Sequence, residues 1–134
     1  MARNRSGHLL LLFLVSCSSP RQAAIDPLAT VEKICMPGYT KTVRHVPLKL
    51  KKQVCEAHGI VKNCPGADYE IDHIVSLELG GTNDPSNLFP EPIAEAKEKD
   101  KVENYLHQEV CNGRLELSKA QQIIASHWKD YVKK

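Results

Sequence analysis

The spacing of apolar residues divides this chain into segments of different character. An unbroken apolar run, Leu9 to Val15, follows a start marked by Arg3 and Arg5. From residue 17 to about 30, Ser, Pro and Ala prevail without a period, as in a tether. Pro37-Gly38 is turn chemistry, and the weak alternation from Tyr39 to Val46 predicts a short strand or extended arm. Pro47 suits the first turn of a helix running to His58, with Leu50, Val54 and Ala57 on one face and Gly59 as its left-handed cap. Asn63 to Asp68 again reads as a turn. Clear alternation begins at Tyr69 and runs to Glu78, with Ile71, His73, Val75 and Leu77 on one side, which predicts a strand at its start. A loop from Gly80 to Pro85 precedes a very short strand, Asn87 to Phe89. Pro92 opens a long helix to about Cys111, its predicted stripe being Val102, Tyr105, Leu106 and Val110, and Asn112-Gly113 ends it. Ser118 with Gln121 reads as a capping box for a last helix in which Ala120, Ile123, Ile124, Trp128 and Tyr131 face inward.

The leading run of seven apolar residues is too short to span a bilayer as a helix, so it reads as an export signal. Leu14-Val15-Ser16-Cys17 resembles the lipobox of bacterial lipoproteins, which implies cleavage before Cys17 and a lipid on that Cys. An ordinary secretory signal cut between Ser18 and Ala24 is the alternative. The expected organisation is a signal at 1–16, a tether at 17–30 and a folded domain at 31–134. The expected location is the periplasm or cell envelope, anchored at the outer membrane through Cys17, since Ser18 and not Asp follows it; secretion is the alternative.

Charge changes the picture little. Residues 1–16 hold two of the 18 basic side chains and no acid, so 18 less 2 leaves 16 basic against 16 acidic in the remainder. No global basic field announces a nucleic-acid partner. Lys41, Arg44, Lys49, Lys51 and Lys52 nevertheless cluster without an intervening acid, a run that suits phosphate contacts or an ordinary solvated face. Beyond Cys17, the even set Cys35, Cys55, Cys64 and Cys111 in an exported domain predicts two disulfides, with three connectivities open. Cys55 and Cys64 bracket a short loop and pair naturally, which leaves Cys35 with Cys111. No Cys-x-x-Cys pair supports a structural zinc knot.

The chemistry concentrates in Glu70-Ile71-Asp72-His73-Ile74-Val75, Leu79-Gly80-Gly81 and Asn87-Leu88, followed by a helix. Adjacent strand residues point to opposite faces, so Asp72 and His73 must serve different tasks. Asp72 suits a hard cation, and a neutral imidazole suits a water that must lose a proton near neutral pH. Asn87 is placed to bond across the glycine loop and is expected to hold His73 in orientation.

Asp-His-Ile-Val, Leu-Gly-Gly, and Asn-Leu fourteen residues after His73 resemble the core of HNH endonucleases, and more narrowly of small exported bacterial HNH-type proteins. Elements of that narrower pattern run from Pro37 to Trp128: Pro-Gly-Tyr-Thr, Leu-Glu-Leu-Gly-Gly, Pro-Glu-Pro, Lys-Asp, Glu-Asn, Leu-His and Val-Cys. The resemblance implies an α+β fold built on a ββα-metal (HNH) finger with flanking helices. It implies a metal-dependent endonuclease that hydrolyses DNA, with RNA also open, largely without regard to sequence. In that family the His is the general base, the preceding Asp a metal ligand and the Asn after the loop an orienting residue, roles that pass to His73, Asp72 and Asn87. The helix departs from the pattern. Its expected second ligand falls on Glu95, with Asp100 as rival, and carboxylates suit one Mg²⁺ or Mn²⁺. Arg44 is the candidate cation for the scissile phosphate. A different class remains open: a non-catalytic exported lipoprotein that uses the finger as a binding module. A third is a toxin-like effector with an immunity partner. By default His45 reads as a surface histidine, His107 as a helix-surface partner of Glu103, and Lys99 and Asp100 as a solvated helix face.

Overall fold

The computed structural model describes residues 24–133; the expected signal and Cys17 lie outside them. Among the described residues the architecture is α+β, with five α-helices and one two-stranded antiparallel sheet. Helices α1 (Val31–Ile34), α2 (Tyr39–Val43) and α3 (Leu48–Ala57) precede β1 (Tyr69–His73). Strand β2 (Leu88–Pro92) runs straight into α4 (Ile93–Cys111), and α5 (Leu117–Ser126) follows. Short 3-10 turns at Leu77–Leu79 and Pro85–Asn87 shape the connection between the strands. No helix among the described residues is long and apolar enough to cross a membrane.

The register pairs Glu70 with Glu91, Asp72 with Phe89 and His73 with Leu88. The alternating segment begins as a strand, as expected, and its pairing ends at His73. Ser76 then leads into the Leu77–Leu79 turn, which still buries Val75, Leu77 and Leu79. Pro90 and Pro92 in β2 supply no backbone donors, which the outer side of a two-stranded sheet tolerates.

Three expectations are corrected. Tyr39–Val43 is helical, not extended: among the described residues no strand pairs with it, and Gly38, at φ +81°, turns the chain into the helix. The last stretch of the expected tether is folded, with Ala24 and Ala29 buried, Ile25 bridged to Gly81, and Asp26 N–H donating to the Gly80 carbonyl at 2.9 Å. The capping box at Ser118 does not form, because α5 already starts at Leu117 and Gln121 instead turns inward to donate to the Leu79 carbonyl at 2.9 Å.

The core gathers α4, α5, the Leu77–Leu79 turn and the incoming chain around Ile34, Val75, Leu79, Leu106, Ala120 and Ile124. Each large apolar side chain sealed there contributes about 1.5–3 kcal/mol. The buried stripe of α4 is Ala96, Lys99, Val102, Glu103, Leu106 and Val110, while Tyr105, expected inside, is 49% exposed. Two charged residues therefore sit in an otherwise apolar stripe. Both expected disulfides are present, Cys35–Cys111 and Cys55–Cys64. The first ties the end of α1 to the end of α4.

Candidate functional site

The end of β1, the loop after it and the first half of α4 bring the chemistry-bearing residues together. Glycine makes the loop possible. Gly80 has φ +83°, a region that side chains avoid, and a Cβ on Gly81 would lie 1.8 Å from the Val75 carbonyl oxygen. The Asn87 amide then closes the loop from the other side. Its Oδ1 accepts from Val75 N–H at 2.9 Å, and its Nδ2 donates to the Val75 and Thr82 carbonyls at 3.0 and 2.8 Å. Asn87 is wholly buried by this clamp and spends its side chain on backbone.

The ring of His73 is held by a different residue, Asn83. His73 Nε2 lies 3.1 Å from Asn83 Oδ1, and Asn83 Nδ2 donates to the Val43 carbonyl at 2.7 Å. The second bond fixes which end of the amide faces the imidazole. Nε2 therefore carries the proton and donates, leaving the Nδ1 lone pair free to accept one. Burial holds His73 below its ordinary value of 6.5, with the charges of Arg44 and Lys99 acting in the same direction against the Asn83 bond and Asp72. The imidazole is thus neutral at physiological pH.

Asp72 opens onto a different neighbour. Its Oδ1 accepts from the His73 N–H at 2.8 Å, and its Oδ2 from Lys99 Nζ at 2.7 Å. Lys99, only 1% exposed, also donates to the His73 carbonyl at 2.6 Å and to Glu103 Oε1 at 2.9 Å. Glu91 Oε2 stands 4.0 Å away, and the ammonium lies 5.7 Å from the centre of the Phe89 ring. Burial opposes the charge on Lys99, but Glu103 and Asp72 outweigh it and its pKa is raised. Burial likewise opposes the Asp72 carboxylate, yet hydrogen bonding from Glu91 and the Lys99 charge hold its pKa below 3.8. The other two acids around Lys99 go the other way, because burial outweighs what the ammonium gives them. Burial and the neighbouring Asp72 push Glu91 up to about 9, and burial pushes Glu103 to about 7.

Asp72 and His73 share a cavity of about 310 Å³ with Arg44, Glu70, Ser76, Glu78, Asp100 and Glu103. Glu70, Glu78 and Asp100 are all raised, chiefly by burial and then by other acids, although His107 weighs against the rise at Glu78. One polar cleft therefore holds a base kept neutral and several carboxyls biased towards protonation.

Compared with known proteins, the chain matches no family model, no curated protein and no solved structure. The site must be read from its own geometry.

Of the residues singled out in the sequence, Asp72, His73, Arg44 and Asp100 meet in this cavity. Asn87 lies behind it as the loop clamp. Glu95 does not line the cavity that holds Asp72; its carboxylate pairs with Lys129 at 2.9 Å. His45 is exposed, and His107 turns to groups other than Glu103: its Nε2 donates to the Ile34 carbonyl at 2.9 Å and lies 3.5 Å from Cys111 Sγ. Sequence reasoning missed Asn83, Glu91 and Glu103 and took Lys99 for a surface residue. One signal for Lys99 was available, since its spacing from Ala96, Val102 and Leu106 places it within the apolar stripe.

A divalent ion on Asp72 and Glu95 does not fit these residues as they stand. Each carboxylate is paired with its own lysine, Asp72 with Lys99 and Glu95 with Lys129, and only Asp72 lines the cavity. Among the described residues the one tight group of three donor side chains is Cys35, His107 and Cys111, whose sulfurs are joined in the disulfide.

Proposed function

We propose that this protein is an endonuclease hydrolysing phosphodiester bonds, with His73 as the general base. The observation that carries the reading is the pairing of environments in one cleft: an oriented, neutral imidazole faces the same space as Asp100 and Glu78, whose pKa values are raised. Hydrolysis needs a water deprotonated for attack, a cation on the phosphate and a proton for the leaving oxygen. His73 Nδ1 takes the proton from water, Arg44 at the cleft wall grips a non-bridging oxygen, and Asp100 or Glu78, whose pKa values burial raises, is the candidate donor of the leaving-group proton. The order β1, glycine loop, β2, α4 agrees with the HNH resemblance of Asp72-His73, Gly80-Gly81 and Asn87. DNA, or RNA, would be gripped by its phosphates through Arg44 and cut with little sequence preference. The two disulfides support export to an oxidising compartment; attachment through Cys17 rests on the lipobox resemblance of Leu14-Val15-Ser16-Cys17 alone.

The test is cleavage of plasmid DNA and of RNA, in Mg²⁺, in Mn²⁺ and in EDTA, by the protein and by His73→Ala. Nicking lost in the variant supports the reading. Clean protein that cuts neither polymer under any of these conditions overturns it. A binding module is the second reading, and the Lys99–Asp72 pair favours it, since Asp72 is already engaged by the chain itself. In that case His73→Ala leaves nucleic-acid or partner binding intact.

A further inference from the structure

We infer that Lys99 is the resident cation of this site: its ammonium fills the seat beside Asp72 and bars a divalent ion from that carboxylate. The geometry is that of a coordination site with nitrogen at its centre. An ammonium has three N–H donors, and Lys99 places them on Asp72 Oδ2, the His73 carbonyl and Glu103 Oε1 at 2.7, 2.6 and 2.9 Å. Every donor is used. Glu91 and the Phe89 ring face the same charge without bonding it.

The seat is also closed. Lys99 is 1% exposed, and its helix is pinned there by buried Ala96, Val102 and Leu106. A divalent ion bonding Asp72 Oδ2 would stand about 2 Å from an oxygen that the ammonium already contacts. The two positive charges repel strongly in so little water. Entry of the ion requires Lys99 to break all three bonds and leave its burial. The departure from HNH chemistry at Glu95 and the presence of Lys99 one helical turn later then belong together. The helix supplies a fixed positive charge to Asp72 and, through the His73 carbonyl, to the backbone of the base. This assignment of the seat stands on its own; that Lys99 also serves hydrolysis rests on the nuclease reading above.

The deciding experiment follows the Lys99 ammonium itself. Its ¹H–¹⁵N signal in the wild-type protein, slowed in exchange by burial, is monitored during titration with millimolar Mg²⁺. The expected result is an unmoved signal. A saturable shift or collapse of that signal, reporting expulsion of Lys99, overturns the assignment. Lys99→Met opens the seat, and Mn²⁺ should then bind at least about tenfold more tightly than to wild type, with the gain abolished by adding Asp72→Asn. Equal Mn²⁺ affinity in wild type and a folded Lys99→Met overturns it as well. Should the methionine variant not fold, the wild-type titration decides alone. Cleavage that persists in EDTA and falls in Lys99→Met extends the role to the reaction. Absence of all cleavage sinks the nuclease reading, while the titration still settles the seat.

Discussion

Asn83 holds the His73 ring with its carbonyl oxygen, 3.1 Å from Nε2, because its amide nitrogen is committed to the Val43 carbonyl. The proton is thereby kept on Nε2 and the reactive lone pair on Nδ1. His73→Ala should lower cleavage by about 10²–10⁴-fold, the usual worth of a positioned base. Asn83→Ala should lower it less and move the acid limb of the rate profile to lower pH, since the Asn83 bond favours the protonated ring. A pH–rate profile of both variants checks this. An unmoved limb in Asn83→Ala would show that Asn83 does not govern the base.

The glycine loop should respond through stability. A Cβ on Gly81 meets the Val75 carbonyl oxygen at 1.8 Å, too close for any rotamer to relieve. Gly81→Ala is expected to cost about 3 kcal/mol or more by forcing the loop off its clamp. Asn87→Ala, which leaves the Val75 N–H and two carbonyls without their partner, should cost about 2–4 kcal/mol. Urea unfolding measures both. A Gly81→Ala midpoint equal to that of wild type would refute the close approach.

The carboxyls around Lys99 set a pH dependence of known sign. Glu91 is raised from 4.5 to about 9 and Glu103 to about 7. The folded state therefore binds more protons than the unfolded state across that window, and stability falls as pH rises from 4.5 towards 9. Glu91→Gln mimics the protonated carboxyl and should flatten the fall. Melting temperatures taken across the window test it, and a slope equally steep in the variant would count against a protonated Glu91.

The disulfides should differ in worth. Cys35–Cys111 joins residues 76 apart and Cys55–Cys64 residues nine apart. Loop-closure entropy assigns about 4.5 kcal/mol to the first and about 2.6 kcal/mol to the second. Paired Cys→Ser variants unfolded in denaturant should keep that order.

Much of the scaffold was legible because periodicity reports it directly. Alternation from Tyr69 found β1, the long run after Pro92 found α4, and spacing found both disulfides. The failures share a physical cause. No residue of Tyr39–Val43 is fully buried and only Tyr39 packs against the core, so its short helix is decided by Gly38 and by packing, and the local pattern had little to report. Lys99 was read as solvated because lysines so rarely enter a core, and only the acids from β1, β2 and its own helix make it tolerable there. Asn83 was one polar loop residue among several. What distinguishes it is a bond to Val43, forty residues earlier, which no window of sequence displays.

The loop behind His73 has a wider consequence. It is fastened by Asn87, by Gln121 of α5 and by the incoming chain at Ala24–Asp26, and scarcely at all by the sheet. The stretch from β1 through α4 is thus no portable cassette. Excised, or transplanted into another scaffold without the chain before α1 and the helix after α4, it would keep the signature residues and lose the alignment that makes them useful.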